Sequence, residues 1–499
     1  MNKKFKITNS VKYGTYSLIS IAILLAVIII LNLAIGILPA KYTSITDNKD
    51  GIYNISSSSK RLLSSLEDDI TIYVIATQDQ SSDYYLMITE YLKRYTELSS
   101  KITYKQVDPV LRPSFVSSYT DMTLDAAYPH IIVVNDKTDR ADVYQFSDII
   151  ASVKDPSLSD EEQYYYYLSY GTYKYIYTFN LESCLISGIT YVSMDHVPCM
   201  YYTKGHGESA VDTMFTQIME LSHVTLKGID LTLDGEIPSE AETLLIYGPT
   251  KDFTDAEIKC LEKFVARGGH IVLISGYNSN VADRNLPNLY GFMEKEYGLY
   301  FVDAMVFEGN TDYAYKYGNE YVNYQFYPQA SGALASAIGS TRIILANAHP
   351  IAIAEALPEG VTATSILTTT EKGYSKTEIL SIEKGENDPE GKFNVGVQAE
   401  KTANGVTSKC MWFSSLYALN IDGTYTSYYQ YANIFITVHI MSETISEFNP
   451  ESVDAISLAI TQLDISEKSG KIWGVILIGI IPAAILGYGF YNRYRRARR

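Results

Sequence analysis

Four consecutive residues have types suited to chemistry: Gly205, His206, Gly207 and Glu208. They follow an apolar stretch, 197–203, that predicts a strand, and they precede a predicted helix over 209–221. Ligands of open α/β sheets bind beyond the carboxyl ends of strands, where two glycines let backbone N–H groups approach a polar group. His206 and Glu208 would then contact the ligand, and Gly248, after a second predicted strand, completes the candidate ligand-binding site. The alternative is structural: the glycines form a tight turn and Glu208 caps the helix.

A catalytic role for this segment would need a nucleophile, and the sequence signals none. It contains no Gly-x-Ser-x-Gly motif, and no Cys lies at a recognisable strand-to-helix turn. We therefore expect no catalytic residue, and ligand binding rather than hydrolysis. A hydrolase that uses His206 and Glu208 remains the alternative.

Histidine and cysteine, the residue types that most often bind metals or carry out redox chemistry, are scattered along the chain. The histidines are His130, His196, His206, His223, His270, His349 and His439, and the cysteines are Cys184, Cys199, Cys260 and Cys410. Neither a Cys-x-x-Cys pair nor paired helical His spacing occurs, so the usual zinc patterns are excluded. The acidic run 67–69 lacks an EF-hand frame, and a Walker A motif is missing, so ATP would be hydrolysed by another subunit. We expect no metal, no cofactor and buried free thiols, with one or two disulfides as the alternative.

The charge of the chain is unevenly distributed. The 499 residues carry a net charge of -17, but residues 1–40 contribute four lysines and residues 471–499 six basic residues, both without acids. This leaves -27 for 41–470. So acidic a surface would repel phosphates, which excludes nucleic acid as a partner of the middle region.

Each basic end adjoins an uncharged apolar run, 17–38 and 472–490. These runs are long enough to cross the hydrocarbon layer as helices, which is roughly 30 Å thick. A signal peptide is the alternative for the first run, but its length and its Leu-Pro-Ala ending favour an uncleaved transmembrane helix. Because basic residues flank both runs on their outer sides, the positive-inside rule predicts two cytoplasmic termini and an extracytoplasmic middle region.

Between the predicted spans the pattern is that of two α/β domains. Strands are predicted over 70–76, 102–107 and 130–135, with a helix over 84–99, in an outline like a thioredoxin fold but without its cysteine pair. The clearest unit comes later: Thr254 and Glu257 form a capping box, a helix follows, Gly268-Gly269 ends it, and 270–275 is a strand. A strand, a helix and a second strand in this order form a parallel crossover unit.

These elements predict an α/β fold with eight segments. They are a cytoplasmic N-terminus 1–16, a transmembrane helix 17–38, an N-terminal α/β domain 41–150, a Tyr-rich connector 151–195, a doubly wound α/β domain 196–445, a juxtamembrane segment 446–470, a second transmembrane helix 472–490 and a basic cytoplasmic tail 491–499. The stretch 300–390 is rich in Tyr and Gly, and its pattern predicts irregular structure.

Several of these segments resemble the GldG family, which are gliding-motility-type auxiliary components of ABC transporters. The likeness lies in the stretch 235–250, in the helix and Arg-Gly-Gly-strand that follow it, and in the strand and Gly-His-Gly-Glu turn over 201–208. It covers most of 40–280 and the two-span layout. The resemblance implies a membrane-anchored partner of an ABC-2-type permease and its ATPase, with an amidotransferase-like α/β domain outside the cell membrane.

The expected function is thus that of a non-enzymatic auxiliary component whose outer domain binds a substrate, a glycan or another envelope protein. An envelope hydrolase and a structural envelope scaffold are the alternatives. The composition adds one more signal, since the chain has 44 Tyr against 16 Phe. Tyrosine suits sugar and protein contact surfaces, and 164–167 and 313–327 are candidates for such surfaces. A compositional bias that replaces Phe with Tyr is the alternative.

Overall fold

Apolar β-branched segments alternate with amphipathic helices along the chain, and the computed structural model of the protein is accordingly a mixed α/β structure with several sheets. It describes residues 51–419 and 433–446, together with 448, 456–458, 495 and 498. Both predicted transmembrane segments lie outside these residues. Among the described residues, no helix has the length and apolar character needed to cross a bilayer.

The first sheet has four strands in the order β2-β1-β3-β4. Its elements are α1 Ser57–Ser65, β1 Ile70–Ile75, α2 Asp83–Thr96, β2 Ile102–Val107, α3 Pro113–Ser117, β3 His130–Asn135, β4 Arg140–Tyr144 and α4 Phe146–Ile149. β1 and β2 are parallel, whereas β3 is antiparallel to both β1 and β4. The predicted strands and the long predicted helix of this region are therefore confirmed.

The segment predicted as a connector contributes to the same core. It forms β5 Ile150–Lys154, α5 Asp160–Tyr170, β6 Tyr175–Phe179 and α6 Leu181–Ser193. In α6, Leu185, Ile189 and Val192 recur at helical spacing, and they pack with Ile131 and Val133 of the sheet. The layer that covers this sheet thus extends through residue 193, the end of α6. The sequence did not predict this, because the many tyrosines of the segment obscure the apolar stripe of α6.

The second sheet has eight strands, in the order β15 (Gln329–Ala330), β18 (Val361–Thr368), β20 (Asn394–Ala403), β21 (Val406–Phe413), β10, β9, β7 and β8. Its first half is built from β7 Cys199–Thr203, α7 Thr213–Leu221, β8 Thr225–Ile229, α8 Leu231–Asp234, β9 Thr243–Tyr247, α9 Asp255–Ala266 and β10 His270–Ile274. Five neighbouring strands of this sheet, β8, β7, β9, β10 and β21, are parallel to one another. This confirms the predicted crossover unit.

The remaining elements extend that sheet and cover it. They are α10 Val281–Arg284, α11 Pro287–Tyr297, β11 Leu299–Phe301, β12 Met305–Glu308, β13 Ala314–Tyr317, β14 Glu320–Phe326, β15 Gln329–Ala330, α12 Gly332–Ile338, β16 Leu345–Ala346, β17 Ile351–Ile353, β18 Val361–Thr368, β19 Gly373–Lys376, β20 Asn394–Ala403, β21 Val406–Phe413, a 3₁₀ turn Leu416–Ala418, α13 Ile434–Thr444 and β22 Ile456–Ser457. β15, β18 and β20 join the sheet in antiparallel pairs. The stretch 300–390 therefore contains short strands where the sequence predicted irregular structure.

Both faces of the eight-stranded sheet are buried. Neighbouring residues of one strand point to opposite sides, so that Leu245 packs into the core under α7 and α13, and Leu244 into the core under α9 and α11. Parallel strands covered by helices on both faces are continuously apolar, which is the pattern of 243–247 and 270–274. The carboxyl ends of these strands all reach one edge, and the Gly-His-Gly-Glu segment lies there.

Candidate functional site

The His206 loop, residues 204–212, connects the carboxyl end of β7 with α7. Asp212 caps α7, since its side chain accepts hydrogen bonds from the N–H groups of Met214 and Phe215 at 2.8 and 3.4 Å. The structural interpretation of the sequence assigned this cap to Glu208, and in that detail it was wrong. The helix begins later than its apolar pattern suggested, and the carboxylate of Glu208 is turned back into the loop.

His206 is buried, and both nitrogens of its ring face carboxylates. Nδ1 lies 3.3 Å from Glu208 Oε1 and Nε2 lies 3.2 Å from Glu257 Oε2. The ring also stacks on Phe253, with the centroids 3.8 Å apart and the planes at 5°. A neutral imidazole has only one N–H, so hydrogen bonds to both carboxylates require the imidazolium ion.

Glu257 joins the loop to two further elements. As the third residue of α9 it completes the predicted capping box, because Oε2 accepts hydrogen bonds from the N–H and the hydroxyl of Thr254 at 2.8 and 2.9 Å. Its other oxygen accepts a hydrogen bond from the hydroxyl of Thr232, in α8, at 2.6 Å. One carboxylate therefore ties α8, α9 and the ring of His206 together.

The pKa shifts at this cluster all favour the charged forms. Burial lowers the pKa of His206, but hydrogen bonds to Glu208 and Glu257 outweigh burial and raise it above its usual value. Burial raises the pKa of Glu257, yet the hydrogen bonds from Thr232, Thr254 and His206 lower it to about 2. The pKa of Glu208 is lowered in the same way by His206 against the opposing effect of burial. A protonated imidazole has no lone pair, so His206 in this form is not a general base.

Gly207 lets the His206 loop approach the loop after β9. Its φ of 70° lies in the left-handed region, and a Cβ atom there would lie 2.2 Å from Thr250 Oγ1. Across the same contact the carbonyl oxygen of His206 accepts hydrogen bonds from the N–H groups of Thr250 and Lys251, both at 2.9 Å. The glycine thus allows two strand-end loops to pack backbone to backbone.

Gly248 serves the same contact from the other loop. Its φ is 62°, and a Cβ atom would lie 2.6 Å from Ser209 Oγ and 2.8 Å from a methyl group of Leu416. The N–H of Ser209 donates to the carbonyl oxygen of Tyr247 at 2.9 Å. Gly248 therefore lies close to the predicted site, but the space beside its Cα is filled by Ser209 and Leu416. The glycine permits this packing between the loops.

An open cavity of ≈ 600 Å³ lies on the solvent side of the loop. Gly205, Gly207 and Glu208 line it together with Lys204 and residues of β7 and α7. The structure thus brings three of the five predicted ligand-binding residues to one cavity. His206 instead points inward to α9, and the partner that holds it there, Glu257, is 51 residues away in sequence. The capping box identified Glu257 as a helix cap, but nothing in the sequence linked it to the histidine.

Another buried histidine, His349, lies in a cluster that sequence reasoning missed. The indole N–H of Trp412 donates to Ser275 Oγ at 2.8 Å, and this hydroxyl lies 2.7 Å from Nε2 of His349. The other ring nitrogen lies 3.0 Å from the carbonyl oxygen of Pro350, so Nδ1 carries the proton and Nε2 accepts. Burial lowers the pKa of His349 to about 4. All three side chains are buried, so this Ser–His pair holds β10, β21 and the segment before β17 together.

The cysteines are free thiols, as the sequence predicted, and three of the four are buried. Burial raises the pKa of Cys199 and takes that of Cys184 to about 12, so neither is a thiolate at neutral pH. Among the residues that the structure describes, no group of three His, Cys, Asp or Glu side chains could hold a metal ion.

The comparison with known protein families finds a match in the N-terminal region. A family model for a domain of unknown function, DUF7088, matches residues 49–152. No curated protein sequence matches the chain.

Solved structures with some similarity include the N-terminal domain of mmIFT52, at 16% identity over 49% of this chain and 97% of that one, with a TM-score of 0.37. Others are PurLQS from Thermotoga maritima, at 9% identity over 49% and 98% with a TM-score of 0.24, and a ThuA-like protein from Parabacteroides merdae, at 8% identity over 51% and 92% with a TM-score of 0.27. At TM-scores below 0.5, these likenesses do not bear on the fold or the function of the chain.

The two tyrosine-rich segments have different surroundings. Tyr164, Tyr165 and Tyr167 of α5 are 51%, 58% and 43% exposed and lie on the protein surface. Tyr313 and Tyr327, at the ends of the other segment, line a cavity ≈ 760 Å³ in volume.

Proposed function

We propose that the chain is a membrane-anchored, non-catalytic auxiliary component of an ABC-2-type transport system, and that its extracytoplasmic part binds a ligand. The two apolar runs at 17–38 and 472–490 and the likeness to the GldG family motivate the proposal. The partners would be a multispan permease and an ATPase, since the sequence has no Walker A motif of its own.

The observation that carries the non-catalytic part is the state of His206. The histidine of the candidate site is buried, both of its ring nitrogens face carboxylates, of Glu208 and Glu257, and these contacts raise its pKa and favour the imidazolium form. A hydrolase that used His206 as its base would need the ring deprotonated, beside a nucleophile and accessible to substrate. These contacts favour binding at the strand ends over hydrolysis there.

Two features of the fold support the proposed architecture. The order β2-β1-β3-β4, with one parallel and two antiparallel pairs, is consistent with a thioredoxin-like domain. The five parallel strands with helices on both faces are consistent with an amidotransferase-like, doubly wound domain. Neither comparison implies thiol or amidotransferase chemistry, because the matching cysteines are absent from the sequence.

The ends of the described chain support the proposed topology. Ile52, which follows the first predicted span, and Leu458, which precedes the second, both pack against the core of the four-stranded sheet. β22 pairs with β6 beside that core. The four-stranded sheet would then lie next to the membrane, with the eight-stranded sheet farther out.

Co-purification in a mild detergent tests the proposal. The full-length chain, tagged at its C-terminus, is expected to recover a multispan permease and an ABC ATPase from its native membrane. An unrelated two-span membrane protein with the same tag serves as the control. If the chain recovers no permease or ATPase above this control, the transport assignment fails, and a structural scaffold becomes the better account.

A further inference from the structure

A cavity of ≈ 760 Å³ lies at the antiparallel end of the eight-stranded sheet. We call it the Arg342 groove. Residues of β15, β18 and β20, of the segment after α12 and of the ends of the β13–β14 hairpin line it. Its volume falls in the range of small-molecule binding sites, which is roughly 300–1,000 Å³.

The charge of this groove is opposite to that of its surroundings. Residues 41–470 carry -27 in total, yet the described residues that line the groove include Arg342 and Lys392 and no Asp or Glu. Both basic residues are exposed. Two cations without a lining carboxylate attract an anion, and a concave site strengthens that attraction.

Arg342 is held in position before any ligand binds. One of its N–H groups donates to the carbonyl oxygen of Asp312 at 2.8 Å. The guanidinium also lies over two tyrosine rings, 5.1 Å from the centroid of Tyr327 and 5.7 Å from that of Tyr313. A guanidinium fixed in this way loses little conformational entropy on binding and presents its remaining donors in a planar fork suited to a carboxylate.

The hydroxyl groups of the groove add acceptors. The hydroxyl of Ser331 donates to the carbonyl oxygen of Ser365, and that of Ser365 donates to Asn394 Oδ1, each at 2.6 Å. The hydroxyl of Thr341 donates to the carbonyl oxygen of Ile338 at 2.6 Å. Because these protons are already used, the lone pairs of the oxygens remain available as acceptors. A ligand that matches them carries hydroxyl donors in addition to its negative charge.

We infer that the Arg342 groove binds an anionic saccharide, that is, a short sugar chain with carboxylate groups. Arg342 and Lys392 bind the carboxylates, and the serine and threonine oxygens accept hydrogen bonds from the sugar hydroxyls. A bare inorganic anion would satisfy the cations alone, and a neutral sugar the hydroxyls alone. The inference rests on the binding role proposed above but not on the ABC partnership.

The test uses the full-length protein in mild detergent, titrated with digalacturonate by isothermal titration calorimetry. The wild type is expected to bind it saturably. Arg342→Gln should weaken binding by about tenfold or more, because a charge-assisted hydrogen bond contributes roughly 1.5–3 kcal/mol, and Lys392→Gln should weaken it as well. The control Lys316→Gln removes a cation of β13 that lies over the ring of Tyr321 on β14, outside the groove, and it is expected to leave the affinity unchanged.

Two further titrations test the ligand class. The methyl ester of digalacturonate keeps the shape but removes the charge, and it should bind at least about tenfold more weakly. Sodium sulfate should compete only weakly. Absence of saturable digalacturonate binding, or equal affinity of wild type and both groove variants, would overturn the inference. Sulfate binding as strong as that of digalacturonate would overturn the saccharide part. Binding without recovery of a permease would reject the transport assignment alone.

Discussion

The His206 loop and the Arg342 groove belong to the same sheet but use their charges in opposite ways. In the loop, one imidazolium is held between Glu208 and Glu257 inside the protein. In the groove, Arg342 and Lys392 are exposed, and no described lining residue is acidic. The charges of the residues that resemble a functional motif are thus satisfied inside the protein, whereas the two cations of the groove, which belong to no motif, are open to solvent.

The largest effect is expected from breaking the loop cluster at its centre. Glu257→Ala removes a helix cap and leaves the buried, charged His206 without one of its two partners. Removing one member of a buried ion pair costs about 3–5 kcal/mol. Urea unfolding followed by tryptophan fluorescence measures this loss, since Trp412 is buried in the eight-stranded sheet.

The control for that variant lies on the same helix. Glu262→Ala removes a carboxylate that pairs with Lys295 at the surface, with the two side chains 32% and 65% exposed. Surface pairs of this kind contribute about 0–1 kcal/mol. Equal destabilisation by the two substitutions would contradict a structural role for the His206 cluster.

Gly207→Ala is expected to have the next largest effect. The new Cβ would meet the hydroxyl of Thr250 at 2.2 Å, and the residue would also keep a φ of 70°. Gly235→Ala is a matched control, because its φ is 74° and no atom lies within 4 Å of the added carbon. Left-handed strain alone costs about 1–2 kcal/mol, so Gly207→Ala should lose clearly more than Gly235→Ala in urea midpoints. Equal losses would mean that the two loops do not pack as closely as described.

A smaller effect is expected from pH. The pKa of His206 is raised on folding, so the stability that it contributes is fully present below about pH 6.5 and is lost as the pH rises through the folded-state pKa. The difference in unfolding free energy between wild type and His206→Gln should therefore shrink between pH 6 and pH 9. Other buried histidines with a lowered pKa, such as His349 and His439, also make the stability depend on pH. Their contributions are the same in both proteins and cancel in the difference. A difference that grows with pH would contradict the charged state of the ring.

The smallest effect on stability belongs to the groove. Arg342→Gln removes contacts at an exposed site, and exposed cation–π contacts contribute about 0.5–1 kcal/mol. We therefore expect a change in unfolding free energy below about 1 kcal/mol, together with the loss of digalacturonate affinity. If Arg342→Gln binds digalacturonate normally but unfolds at a clearly lower urea concentration, Arg342 serves the fold and not the ligand, which would contradict this account.

Local patterns made much of this structure predictable. The capping box at Thr254 and Glu257 and the Gly-Gly stop after α9 depend on neighbours in sequence, and the structure confirms the helix between them. The buried strands over 243–247 and 270–274 were predictable because parallel strands are apolar on both faces.

What could not be predicted depends on contacts between distant residues. The contact of His206 with Glu257 spans 51 residues, and that of Ser275 with His349 spans 74. The Arg342 groove collects residues from several elements between 313 and 394, where strands are too short for a periodic pattern. The sequence left two interpretations of Glu208, a ligand contact and a helix cap, and neither indicated its contact with the ring of His206 two residues earlier.

The most direct test of the structural role of the His206 loop is a double-mutant cycle between His206 and Glu257. The unfolding free energies of His206→Gln, Glu257→Gln and the double variant are compared with that of the wild type in urea at pH 6, where the ring is charged. Residues in one hydrogen-bonded network couple by about 0.5–3 kcal/mol, and we predict a favourable coupling above about 1 kcal/mol. Additive effects, within about 0.3–0.5 kcal/mol, would show that the imidazolium and the carboxylate do not hold the loop in place.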